Sequence, residues 1–187
     1  MATGIIVLIV VGVVLVALVG WAVSAYNRLV RLRTQVKASW AQVDVQLKRR
    51  HSLIPNLVET VRGYASHERA TLQAVVAARS SAVGAQGPLA QAGAEGALTQ
   101  ALGRLFVLAE AYPELKANSN FLALQTELAG TEDKVAYARQ FYNSAVQSLN
   151  AAVQSVPTNI IAGMGGFTAE TYFEAGGDER GEVAVRF

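Results

Sequence analysis

Residues 5–23 carry no charged side chain and are built almost wholly of Val, Ile, Leu, Ala and Gly, with Trp21 and Tyr26 at the carboxyl end. A helix over this run rises about 1.5 Å per residue and reaches about 28 Å, close to the ~30 Å hydrocarbon core of a bilayer. Trp and Tyr suit the headgroup zone, where an aromatic ring keeps its body apolar and its polar tip wet. The run reads as one transmembrane anchor, residues 1–25. A signal peptide is the main rival, since Val23-Ser24-Ala25 offers small residues for cleavage. Against it, the basic n-region is missing and the run exceeds the usual signal core of about 7–15 residues. A buried core helix would keep a polar stripe, and this one keeps none. Gly4, Gly12 and Gly20 drift around the helix by about 80° at each step, so they form no GxxxG dimer face.

Beyond the anchor about 160 residues remain, enough for one domain with a real core. Cysteine is absent, which excludes disulfides, thiolate zinc sites and cysteine nucleophiles. Charge is unevenly placed: Arg28, Arg31, Arg33, Lys37, Lys48, Arg49, Arg50 and Arg62 face only Asp44 and Glu59. A cation near an anionic leaflet gains about 1 kcal/mol, so anionic lipid headgroups explain this flank better than nucleic acid. No RNA-binding signature or aromatic-interleaved basic patch argues otherwise. Trp21, Tyr26, Arg28, Arg31, Arg33 and Lys37 are the expected membrane-surface residues. The positive-inside rule then places the domain in the cytoplasm of a bacterial-type cell, on the inner membrane.

The apolar positions Leu29, Leu32, Val36, Trp40, Val43 and Leu47 recur at spacings of three and four, the pattern of an amphipathic helix. Pro55 lacks an N–H and clashes with the preceding turn, so it either starts a second helix or kinks a long one; a new start is favoured, carrying Leu57, Val58, Val61, Leu72 and Val75. Residues 84–96, rich in Gly, Ala and Gln, read as a connector. A third helix follows with Leu98, Leu102, Leu105 and Phe106, ending before Pro113. The clearest segment runs through Phe121, Leu124, Leu128, Thr131, Val135, Ala138, Tyr142, Ala145, Leu149 and Ala152. Its seven-residue repeat favours left-handed packing at about +20°. The expectation is an all-α protein in which residues 26–157 form an antiparallel four-helix bundle. Residues 158–187 follow as a Gly-rich apolar segment and an acidic, irregular tail.

No catalytic constellation stands out. His51 and His67 lack partners at metal-ligand spacing and read as solvated, and no Glu-x-x-His di-iron signature occurs. Gly163-Met164-Gly165-Gly166 is neither a Walker loop nor a dinucleotide fingerprint and reads as a tight turn after a helix. Glu132 and Asp133 suit a solvated face. Asn143 and Asn150 each follow a core position and form a polar edge that either sets register or faces water. No catalytic, cofactor-binding or metal-ligating residue is assigned.

Tyr26-Asn27-Arg28-Leu29-Val30, Gln46-Leu47-Lys48-Arg49-Arg50, Leu53-Ile54-Pro55-Asn56-Leu57-Val58-Glu59-Thr60-Val61 and Gly63-Tyr64-Ala65 resemble the LemA family. Tyr112-Pro113-Glu114-Leu115-Lys116-Ala117, Tyr142-Asn143 and the segment from Pro157 to Phe167 extend the likeness. The resemblance implies a single-pass membrane protein with a four-helix, bromodomain-like topology, no enzymatic activity and no cofactor, in a family with a branch tied to magnetosome membranes. The functional expectation is a self-associating, membrane-anchored scaffold or adaptor, with another membrane protein as a further partner. The alternative is a membrane-tethered ligand or signal sensor; an unrecognised hydrolase ranks third. For a homo-oligomer the expected interface is Ile160, Ile161, Met164, Phe167, Tyr172, Phe173 and Phe187, on the view that a lone chain would leave them exposed.

Overall fold

The computed structural model describes residues 2–174, and among these every regular element is an α-helix. In chain order they are α1 (Ala2–Tyr64), α2 (Arg69–Gly84), α3 (Pro88–Glu110), α4 (Pro113–Lys116), α5 (Ser119–Gln154) and α6 (Thr158–Met164). The described residues fall into two compact units: 2–39 with 144–170, and 40–143 with 171–174.

The second unit holds the main hydrophobic core. Ile54, Leu57, Val58 and Val61 of α1 meet Leu72 and Val75 of α2, Leu98, Leu102 and Leu105 of α3, Leu115 of α4, and Phe121 and Leu128 of α5. The three-four spacing read from the sequence is the spacing of these buried positions. The amino end of α5 is capped by Asn118, whose Oδ1 accepts from the Phe121 N–H at 3.0 Å.

Two helix boundaries differ from the sequence expectation. Pro55 lies inside α1, which continues through it to Tyr64. The proline withholds the hydrogen bond due to the carbonyl four residues earlier, that of His51. Arg79 of α2 supplies it instead, its Nε donating to the His51 carbonyl at 2.8 Å. The expected connector at residues 84–96 is mostly helix, because Pro88 occupies the first turn of α3 and the Ala and Gln that follow are good helix formers. Only a short turn remains, with Gly87 at φ 82°. Gln91, one turn into α3, donates from Nε2 to the Ala82 carbonyl at 3.0 Å and so satisfies an end group of α2.

In the first unit the buried positions are Ala25, Leu29 and Val36 of α1, Ala145, Val146, Leu149 and Ala152 of α5, Ala162 of α6, and Phe167. The start of the segment expected to be irregular forms the short helix α6, which takes in Gly163 and Met164, and the expected turn is confined to Gly165 and Gly166. Gly166 takes φ 66°, and the Phe167 N–H returns to the Ala162 carbonyl at 2.9 Å, a Schellman-type closure.

Candidate functional site

Three arrangements distinguish this chain from a plain helical core. The first is the apolar end of α1. Every large hydrophobic residue from Ile5 to Val19 is at least half exposed, and the window that makes α1 long and apolar enough to cross a membrane has none of its area buried. Trp21 and Tyr26 are also exposed at its carboxyl boundary. Arg28, Arg31 and Lys37 point outward, whereas Arg33 is half-buried with its guanidinium over the Phe167 ring, 4.6 Å from the centroid. Tyr26 meets the same ring edge-on at 5.5 Å.

The second is a buried ionic cluster in the other unit. Arg50 of α1 has a side chain only 3% exposed. It donates from Nη1 to Glu95 Oε2 at 2.7 Å, and from Nη2 to Glu132 Oε1 at 2.5 Å and Thr99 Oγ1 at 2.8 Å. His51 Nε2 lies 2.7 Å from Glu95 Oε1, and Gln91 Nε2 donates to that same oxygen at 2.9 Å. Burial pushes the Glu95 carboxyl up, but the His51 hydrogen bond, the His51 and Arg50 charges and the Gln91 hydrogen bond outweigh it and hold the group below its ordinary range. The cluster corrects two expectations. His51 is buried rather than solvated, and Glu132, on the half-exposed edge of α5, closes the network instead of merely facing water. His67 is exposed, as expected. Sequence reasoning missed the cluster because its partners lie on three different helices, α1, α3 and α5: the residue types were visible, but their meeting was not.

The third arrangement is the segment after α6. In the first unit, Asn150 donates from Nδ2 to the Glu170 carbonyl at 2.9 Å and accepts from the Glu170 N–H at 2.8 Å. In the second unit, Asn143 does the same to Phe173, at 3.1 Å and 2.9 Å. The Tyr142 hydroxyl donates to the Thr171 carbonyl at 2.8 Å, and Phe173 packs edge-on to Trp40 at 5.6 Å. The two asparagines thus set the register of their own chain's tail.

Of the expected interface residues, Phe167 and Phe173 are buried within their own chain, which corrects the view that a lone chain would leave them exposed. Ile161 is half-buried, Tyr172 sits at the edge of exposure, and Ile160 and Met164 are exposed. Phe187 and the acidic end lie outside the described residues.

Among the described residues, an all-helical body and one charge-free helix end that is exposed on every side define a helical protein with one candidate membrane span. Comparison with known families makes this specific. Residues 39–187 match the model of the LemA family, and the chain belongs to that family. Among its relatives is magnetosome protein MamQ 2 of Paramagnetospirillum magneticum, 27% identical over 185 residues, covering 85% of this chain and 68% of that protein. Magnetosome protein MamQ of Magnetospirillum gryphiswaldense is 26% identical over the same shares. Protein LemA of Metamycoplasma hominis is 26% identical over 144 residues, covering 75% of this chain and 64% of its own length.

Proposed function

We propose that this chain is a single-pass inner-membrane scaffold, with α1 as the anchor and an antiparallel four-helix bundle as a non-catalytic cytoplasmic body that recruits its own copies or another membrane protein. The observation that carries this reading is the apolar run of α1, exposed on all sides and followed within the same compact unit by Arg28, Arg31, Arg33 and Lys37. Only a lipid environment covers such a surface without a second protein, and cations beside it favour an anionic leaflet. The relatives named as magnetosome proteins support a membrane-associated role. Confinement to a membrane raises the local concentration of copies and so favours self-association. Phe167 and Phe173 face their own chain, so copies would meet through other exposed surface.

The test has two parts. Full-length protein in isolated membranes should resist alkaline extraction, and release into the supernatant would refute the anchor. Detergent-extracted protein should run larger than one chain by light scattering, and a monomer at micromolar concentration would refute self-association. The sensor alternative draws support from an open groove of about 900 Å³ in the second unit, lined by Val45, Gln46, Lys134, Tyr137 and Phe141 among others. Its size is that of a small-ligand site. A small molecule that raises the unfolding temperature of wild type but not of Tyr137→Ala would favour that alternative.

A further inference from the structure

The short helix α6 carries no charge, and no charged residue or histidine occurs anywhere between Arg139 and Glu170. Two of its apolar side chains, Ile160 at 60% and Met164 at 83% exposure, lie one turn apart on one face of the helix. The preceding Val156 is 79% exposed. Such a surface gains nothing from water.

Its position in the first unit identifies what covers it. A cleft lined by Ala22, Val23 and Tyr26 of α1 and by Ile161, Met164 and Gly165 brings the end of α6 alongside the last turn of the apolar run. That placement is held tightly. A Cβ on Gly165 would stand 2.7 Å from the Phe167 ring and 3.1 Å from the Tyr26 ring, so the glycine backbone packs closely against both rings, and a side chain there would have to displace Phe167 and press on Tyr26. If residues 5–23 fill the hydrocarbon core, Val23 marks its edge, and Met164 beside it sits at the same depth.

We infer that α6 is a second membrane-contacting element, seating Ile160 and Met164 in the headgroup and acyl boundary of the bilayer that α1 crosses. This deepens the proposed function and rests on α1 being the span. Apolar faces that lie in the interface reach about 5–10 Å below the headgroups, a depth that suits Met164 beside residues 22–26, with Ile160 one turn away on the same face of α6. The absence of charge removes the desolvation cost that would oppose this seat. Arg28 and Arg31, one to two turns farther along α1, remain on the headgroup side.

The chain has no cysteine, so single cysteines can be placed in the full-length protein and labelled with an environment-sensitive fluorophore. Ile160→Cys and Met164→Cys are the test positions, with Val14→Cys as the span reference and Ser80→Cys on α2 as the aqueous reference. The four proteins are reconstituted in phosphatidylethanolamine–phosphatidylglycerol vesicles, and each must keep the parent helicity. Labels at 160 and 164 should emit to the blue of the one at 80, be quenched by a lipid-borne nitroxide near the headgroups, and resist aqueous iodide. Quenching of 160 and 164 by iodide, with Val14→Cys still quenched by a deep lipid nitroxide, would overturn the inference and leave the anchor intact. Failure of the label at 14 to meet lipid would overturn the anchor itself. Shielding of 160 and 164 from both quenchers would assign the surface to a second copy and equally overturn the lipid seat.

Discussion

Replacing Glu95 by Gln removes one negative charge from a site where Arg50, His51 and Gln91 all converge. The amide has nearly the shape of the carboxylate, so packing is kept and the change is electrostatic. Breaking a buried ion pair by removing one partner costs about 3–5 kcal/mol, because the surviving charge stays desolvated. Here Glu132 still holds Arg50 at 2.5 Å, which places the loss at the lower end, about 3 kcal/mol. For a chain of this size that corresponds to a fall of about 6–12 °C in Tm. The assay is thermal unfolding of the full-length protein in detergent, followed by circular dichroism at neutral pH. Glu110→Gln, which loses only an exposed pair with Lys116, is the control and should fall within about 0.5 kcal/mol of wild type. In a double-mutant cycle with Arg50→Met, the two losses should sum to more than the loss of the pair together, since each single change strands the other partner. A Glu95→Gln protein as stable as the control would refute the claim that this cluster ties the helices of its unit together.

The same carboxylate predicts a pH dependence. A group held below its unfolded pKa contributes its full stability above that value, about 4.3 for Glu, and loses it as pH falls through the folded pKa. The Tm gap between wild type and Glu95→Gln should therefore stay open at neutral pH and close below about pH 4.3; a gap unchanged at pH 3 would contradict the assignment. Asn143→Ala removes both hydrogen bonds to Phe173 and should loosen that segment by about 1–3 kcal/mol, read as faster amide exchange at residues 171–174 with α3 unaffected. Gly165→Ala should cost about 1–3 kcal/mol by driving its Cβ into the Phe167 ring, seen as a lowered Tm, while Gly163→Ala, with open space around it, should not. Val14→Arg should impair membrane insertion by about 3 kcal/mol, measured as the membrane-bound fraction of newly made protein.

The parts of the fold that were legible in the sequence are those fixed by local period. The charge-free run and the three-four spacing from Phe121 to Ala152 translate directly into the exposed end of α1 and the buried stripe of α5. What stayed hidden depends on residues far apart in the chain. Pro55 reads as a helix start because its own sequence neighbourhood holds no substitute donor; the donor is Arg79. Residues 84–96 read as a connector because Gly, Ala and Gln carry little hydrophobic signal, yet Gln91 and Glu95 are buried there as partners for α2 and α1. His51 reads as solvated for the same reason, since Glu95 lies across the fold. Asn143 and Asn150 were recognised as a polar edge, but their acceptors and donors are backbone groups of residues with no distinguishing side-chain pattern.

The bond from Arg79 to the His51 carbonyl turns a contact that an ordinary helix keeps to itself into one shared between two helices. Positions 55 and 79 are thereby coupled through one carbonyl. Alanine at 55 would restore the internal bond and leave Arg79 to share the oxygen with it; a shorter side chain at 79 would orphan the carbonyl that proline left open. Neither change is neutral alone, and the two together are closer to it. Descendants of this chain should therefore keep both residues or lose both.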